Sequence, residues 1–194
     1  MTAGDRQPSR SGSFGGITSG AGSRSVPRPS GTDANAETIR AARRRWASGV
    51  AVVTTREGEG FRGATVAAFT AVSLDPPLVL VCLDREGRMA SLVPEAGVFA
   101  VSVLDRSQEF LAERFAGRAP LPDASFSGVP HTVGETGCPL LAGALAWFDC
   151  WVQADHDGGD HRIIIGEVVG AGLGEDTDDP LLNYEGRYRS IEGA

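Results

Sequence analysis

Two long apolar-rich runs, LLAGALAWFDCWVQAD (140–155) and HRIIIGEVVGAGLG (161–174), meet across the turn His156-Asp157-Gly158-Gly159. Two such strands in succession, joined by a few glycine-rich residues, can only pair antiparallel, because a parallel pair needs a crossover of a dozen residues or more. The rest of the chain repeats the theme. VAVVTT (50–55) is β-branched, FRGATVAAFTAVSL (61–74) reads as one extended segment ending at Asp75-Pro76-Pro77, and VFAVSVL (98–104) is another strand. LVLVCL (78–83) is a continuous apolar run, as expected for a strand buried on both faces. PLLNYEGRYRSI closes the chain as a short hairpin or edge strand.

Helical signals are few. DANAETIRAARRRWASG sets Ile39, Ala42 and Trp46 on one helical face, with Gly49 as a stop. A short helix is expected over Met89–Val93. Another, QEFLAERFAG, is capped by Ser107, buries Phe110, Leu111 and Phe115, and ends at Gly117. Many antiparallel strands with so few helices make the chain mainly β, a barrel or sandwich rather than a doubly wound sheet. The stretch 33–194 is the folded domain. Residues 1–32, rich in Ser, Gly, Pro and Arg, have too little to bury and are expected to be a disordered tail.

Composition excludes several functions. The net charge of −7 argues against a nucleic-acid partner, and no apolar run approaches the roughly 20 residues that span a bilayer. All 18 cationic side chains are arginine. Without lysine, neither Schiff-base chemistry nor a P-loop is available. Cys82, Cys138 and Cys150 are odd in number and lack CxxC spacing, which points to free thiols in a reducing, cytoplasmic setting. Cys150, His156 and His161 match no zinc spacing. Trp46, Trp147 and Trp151 read as core or interface residues.

Gly58-Glu59-Gly60-Phe61-Arg62-Gly63 matches a dinucleotide fingerprint, with Asp84 about 20 residues on. That motif needs a helix after its third glycine to hold a pyrophosphate. The residues that follow, Ala64 to Val72, are strand-like, so the segment reads as a hairpin turn.

Two stretches carry chemistry. In GATVAAFTAVSLDPPLVLVCLD (63–84), Gly63, Ala64, Ala67, Ala68 and Ala71 let a planar ligand approach the backbone, and Thr65, Thr70 and Ser73 add hydroxyls. Equally, these residues suit an ordinary strand pair. In Gly158-Gly159-Asp160-His161 an aspartate beside a histidine can orient the imidazole, or simply complete a tight turn.

Taken in order, GATVAAFTAVSLDPPLVLVCLD, FAVSVLDRSQEFLAERFAG, GCPLLAGALAWFDC, GGDH, GEVV and PLLNYEGRYRSI resemble the flavin-reductase-like family, the reductase components of two-component flavin-dependent monooxygenases. The resemblance covers residues 36–191. It implies an FMN-binding split β-barrel, a homodimer, and an NAD(P)H:flavin oxidoreductase using FMN or FAD with NADH or NADPH. Reduced flavin would pass to a separate monooxygenase. The flavin contacts it implies are Thr65, Val66, Ala67, Ala68, Phe69, Thr70 and Ser73, with Cys82, Leu83 and Asp84 near the phosphate and Tyr184 and Tyr188 from the terminal segment. Where relatives often carry Ser or Thr, this chain reads Arg85 to Ser91, making Arg88 and Ser91 the phosphate candidates. Ala67 replaces the family's preferred serine. Gly159, Asp160 and His161 are associated with the nicotinamide, His161 positioning it during hydride transfer. Arg162 or Arg187 could meet a 2′-phosphate. The alternatives are a relative of the pyridoxamine-phosphate oxidases, against which the missing lysine and the intact GDH weigh, and a flavin-binding module without catalysis.

Overall fold

The computed structural model describes residues 35–117, 126–174 and 179–191. The expected tail, 1–32, lies outside them. The described fold belongs to one compact unit, Ala36–Ala194.

Its frame is a seven-stranded antiparallel sheet. The strands are β2 (Ala51–Glu57), β3 (Gly60–Val66), β4 (Phe69–Leu74), β5 (Pro77–Asp84), β6 (Val98–Val103), β9 (Ala146–Gly158) and β10 (His161–Leu173), in the order β3-β2-β6-β9-β10-β5-β4. Strand β3 is thus at one edge and β4 at the other, yet only Ala67 and Ala68 separate them in sequence. A flat sheet would hold these edges about 29 Å apart, six spacings of about 4.8 Å, whereas the chain from Val66 to Phe69 can span no more than about 11 Å. The sheet must therefore curl until its edges meet. No ladder joins β3 to β4, and the barrel stays split at that corner. The segment 61–74 is accordingly two strands and not the single one expected.

The strand patterns follow from what covers each face. Strand β2 is buried on both sides: Ala51 and Val53 enter the barrel core with Val81, Phe99, Val101 and Ile164, while Val52, with Val50 just before the strand, faces a second cluster with Leu104, Phe115 and Phe126. Its buried hydroxyls are satisfied, Thr54 donating to Pro139 O at 2.6 Å and Thr55 to Val98 O at 2.7 Å. Strand β5 is not buried on both faces. Val79, Val81 and Leu83 are buried, but Leu78, Leu80 and Cys82 are only half-buried.

The helices are α1 (Ala36–Arg44), α2 (Arg88–Ala96) and α3 (Glu109–Phe115). Helix α2 buries Met89, Ala90, Leu92 and Val93 and ends at Gly97, φ 69°, whose N–H donates to Val93 O. Helix α3 is entered through a 3-10 turn, Arg106–Gln108, whose cap is Asp105 and not Ser107: the Asp105 carboxylate accepts from Ser107 N, and Gln108 returns a bond to the Asp105 N–H. Phe110 is exposed, and Ala112 and Phe115 are the buried pair. Helix α1 buries none of its residues. Ile39 is 48% exposed and Trp46, just past the helix, 79%.

The expected strand 140–155 is broken. Pro139–Leu141 (β8) pairs with His131–Val133 (β7), and the chain turns through Gly143, φ 74°, before β9. Trp147 packs beside Ala100 and Leu140, while Trp151 is exposed. Two short strands, β11 (Leu182–Tyr184) and β12 (Arg187–Arg189), form the closing hairpin, which adds to the two-residue β1 (Ser48–Gly49). The GxGxxG segment is the β2–β3 hairpin, turning at Gly58 with φ 60°. Among the described residues, no helix is long and apolar enough to cross a membrane, no group of three His, Cys, Asp or Glu could hold a metal, and the three cysteines are free.

Candidate active site

Where the barrel splits, a cavity of about 900 Å³ opens. One wall is Gly63 to Ala68, the end of β3 and the corner after it. The second is Cys82, Leu83 and Asp84, ending β5, with Gly87, Arg88 and Met89 at the start of α2. Phe115 to Gly117 at the end of α3, His161 at the start of β10, the arginine face of α1, and Asn183 and Gly186 of the terminal hairpin complete it.

Register explains why these ends converge. Strand β3 pairs with β2 as far as Val66, opposite Ala51, and pairing resumes with Phe69 opposite Val81. Ala67 falls between the two ladders, paired in neither, and Ala68 O accepts a bond from Cys82 N at 3.0 Å. The corner is therefore exposed backbone flanked by methyl-sized side chains, a surface that a flat ring can approach closely.

The cation sites beside this corner are fixed. Glu57 accepts from Arg62 Nε at 2.5 Å and from Arg88 Nε at 3.0 Å, and Arg88 Nη1 also reaches Ser91 Oγ at 3.2 Å. These two guanidinium groups, Arg62 first, hold the Glu57 carboxyl below its ordinary value. Two arginines sharing one carboxylate retain a net positive charge with a defined direction, which suits a phosphate.

At the far end, His161 Nδ1 lies 2.7 Å from Asp160 Oδ1. The hydrogen bond from His161, and then its charge, hold the Asp160 carboxyl below the usual range. An ionised carboxylate only accepts, so Nδ1 carries the proton and Nε2 is the nitrogen left for a ligand. The turn beneath is held by Arg85, whose Nε donates to Gly159 O at 3.0 Å and whose Nη2 meets Asp157 Oδ1 at 2.7 Å. Its backbone N–H donates to Asp160 O at 3.0 Å.

Of the residues expected from sequence, Thr65, Val66, Ala67, Ala68, Cys82, Leu83, Asp84, Arg88 and His161 border the cavity. Thr65 gives its hydroxyl proton to Ala112 O at 2.7 Å, so it can only accept from a ligand. The others stand back from it. Phe69 packs on Phe148, ring centres 5.4 Å apart. Thr70 is exposed with its hydroxyl on Ala71 O, and Ser73 follows a bulge in β4. Ser91 bonds Arg88, Gly159 is held by Arg85 and Asp157, and Asp160 meets the His161 ring. Tyr188 packs against the second core cluster, and Tyr184 is half-buried on β11 while its neighbour Asn183 borders the cavity. Arg162 is committed to Asp155 and to Ala90 O. Sequence reasoning missed Arg40, Arg43, Arg44, Arg62 and Phe115 as cavity residues. The i, i+3, i+4 spacing of Arg40, Arg43 and Arg44 is the sequence signal for a shared helical face.

The model of the flavin reductase like domain matches residues 43–192. The chain belongs to that family. An NADH-dependent flavin reductase of a Rhodococcus species is 42% identical over 157 residues, 79% of this chain and 85% of the relative. Among solved structures, the NADH:FAD oxidoreductase SgcE6 of Streptomyces globisporus C-1027 superposes with a TM-score of 0.74 at 37% identity, covering 85% of this chain and 99% of that one. SgcE6 has also been solved with NAD and FAD fragments. The styrene monooxygenase flavin reductase of Pseudomonas putida S12 gives 0.70 at 37% identity, over 79% and 97%. The fold is that of the split-barrel flavin reductases, and the family's enzymes are oxidoreductases.

Proposed function

We propose that this flavin reductase uses NADH to reduce a flavin that then leaves to serve a separate monooxygenase. One observation carries the reading: the unpaired corner at Ala67, the anchored Arg62–Glu57–Arg88 group and the His161 end all open into one cavity. The cavity fits a flavin on its own chemistry, with a flat apolar wall of small residues beside a directed positive charge. When bound, flavin and nicotinamide supply the hydride chemistry between themselves.

The chain's part is to hold the two rings together and dry. The Ala67–Ala68 corner accepts the flat ring, and Arg88 with Arg62 meets its phosphate. Asp160, fixed by the Arg85 clamp, sets the imidazole so that Nε2 can bond the nicotinamide amide. Stacking two rings at about 3–3.5 Å needs no nucleophile and no metal. We further propose that the enzyme works as a homodimer in the cytoplasm and that NADH is preferred over NADPH, since Arg162, one candidate for a 2′-phosphate, is already paired with Asp155.

The test is loss of NADH absorbance near 340 nm by purified protein with FMN, with FAD and with neither. Flavin-dependent oxidation is expected. No turnover with either flavin, and none with NADPH, would leave a flavin-binding module. Sedimentation equilibrium at twice the monomer mass is the expected result for the dimer.

A further inference from the structure

Helix α1 is an unusual element, nine residues that bury nothing. Arg40, Arg43 and Arg44, at i, i+3 and i+4, share one face, and all three border the cavity, as does Trp46. Like charges at these spacings repel and so destabilise the helix. Among the described residues no carboxylate forms an ion pair with any of the three; the pair formed at this end of the helix, Arg45 with Glu185 at 3.2 Å, involves a residue that does not border the cavity. The lining as a whole carries five arginines against one carboxylate, Asp84, in a chain of net charge −7. Arg62 and Arg88 are partly neutralised by Glu57. The uncompensated charge is therefore on α1.

This face is held in place. Arg44 O accepts from Glu185 N at 2.9 Å, and the Arg44 guanidinium lies across Gly186 of the terminal hairpin. A Cβ at Gly186 would stand 3.3 Å from Nη2 and 3.6 Å from Nε. The chain beyond α1 is turned by Trp46 N donating to Arg43 O at 3.1 Å, which sets the indole beside the arginines, 79% exposed. A large exposed indole at a cavity rim is a platform for a base, since every base has a face to stack. The cavity volume is near the top of the range for small-molecule sites, about 300–1,000 Å³, leaving room beyond a flavin ring and its first phosphate.

We propose that Arg40, Arg43, Arg44 and Trp46 form a subsite for the adenylate half of a dinucleotide, the arginines taking its phosphates and the indole its adenine. The proposal rests on the reductase reading above and deepens it. The same adenylate chemistry comes from FAD, which FMN lacks, and from NADH, which reduced nicotinamide mononucleotide lacks.

The experiment uses the full chain carrying R43A/R44A, and separately W46A, each checked for an unchanged melting curve. Flavin affinity is read from fluorescence quenching with FAD and with FMN, which needs no turnover. KM is read for NADH and for reduced nicotinamide mononucleotide, with FMN as acceptor. A hydrogen bond to a charged group is worth about a factor of ten or more. The FAD-to-FMN affinity ratio is therefore expected to fall about ten-fold if FAD occupies the subsite. If NADH occupies it, the ratio of kcat/KM for NADH to that for the mononucleotide falls by the same factor. Either result supports the subsite and names its source. Neither ratio moving in either variant overturns it, whether the individual affinities drop together or stay put. Should the wild-type chain oxidise no NADH at all, the reductase reading fails, and the FAD-to-FMN binding ratio still decides the subsite.

Discussion

Gly63 borders the cavity and also packs closely against Phe115 of α3. Its backbone lies in ordinary extended territory, so replacing it with alanine tests packing alone. The added Cβ would stand 2.8 Å from Phe115 Cδ1, 2.9 Å from Cε1 and 3.3 Å from Val52 Cγ1. Phe115 cannot swing away freely, because its ring is 5.2 Å from that of Phe126 and the side chain is buried. Forcing a methyl into a packed core costs about 1–3 kcal/mol. The smaller conformational freedom of alanine in the unfolded chain returns roughly 0.4–1 kcal/mol. A net loss of up to about 2.6 kcal/mol remains, and for a chain of this size each kcal/mol moves Tm by about 2–4 °C. Gly63→Ala should therefore melt up to roughly 10 °C below wild type in a thermal scan followed by circular dichroism. Gly49→Ala, where nothing lies within 4 Å of the new Cβ, serves as the reference and should melt at or above wild type. Because the displaced ring forms part of the cavity wall, the KM for flavin should rise in Gly63→Ala as well. If Gly63→Ala melts as high as Gly49→Ala, the close approach of β3 to Phe115 is wrong, and with it the shape assigned to that wall.

His161→Ala should raise the KM for NADH about 2–12-fold, the worth of one ordinary hydrogen bond, and raise it more than the KM for flavin; the reverse order in steady-state kinetics would remove the role given to Nε2. Glu57, held below its ordinary pKa of 4.5 by Arg62 and Arg88, contributes stability that is fully present above pH 4.5 and is lost as pH falls through the lowered value. Denaturant melts from pH 7 to pH 3 should show the gap between wild type and Glu57→Gln constant at neutral pH and closing below 4.5, and a gap that widens in acid would contradict the shared carboxylate. Burial pushes the Cys150 thiol up to about 12 and raises Cys138 as well, so neither should react with a thiol reagent in the native protein at pH 8. Cys82, half-buried on the cavity wall and raised by burial with Arg43 partly offsetting, should react slowly and more slowly still with flavin present; protection of a different thiol would move the flavin elsewhere.

How much of this was legible in advance depended on the range of the interactions. Strand content, the hairpin at Gly58, the turn before His161 and the small-residue segment at Gly63–Ala68 are local, written in β-branching, glycine and alternation over a few residues. So was the exclusion of a dinucleotide helix after Gly63. The cap expected at Ser107 falls two residues earlier, on the 3-10 turn that leads into α3, because Asp105 and Ser107 both suit an N-cap, and only the bond from Ser107 N to the Asp105 carboxylate chooses between them.

The sequence by itself determined that this chain is an antiparallel β protein with a small-residue wall and an Asp-His turn, since each is a property of consecutive side chains. It could not determine that the edges of the sheet meet at Ala67. That follows from strand order, and strand order depends on which of several similar apolar runs pair across a hundred residues. The same distance decided the arginine face of α1. Nothing in RAARRRW says which side of an exposed helix turns inward, and the choice is made by the terminal hairpin, where Glu185 and Gly186, some 140 residues away in sequence, hold Arg44 against the cavity.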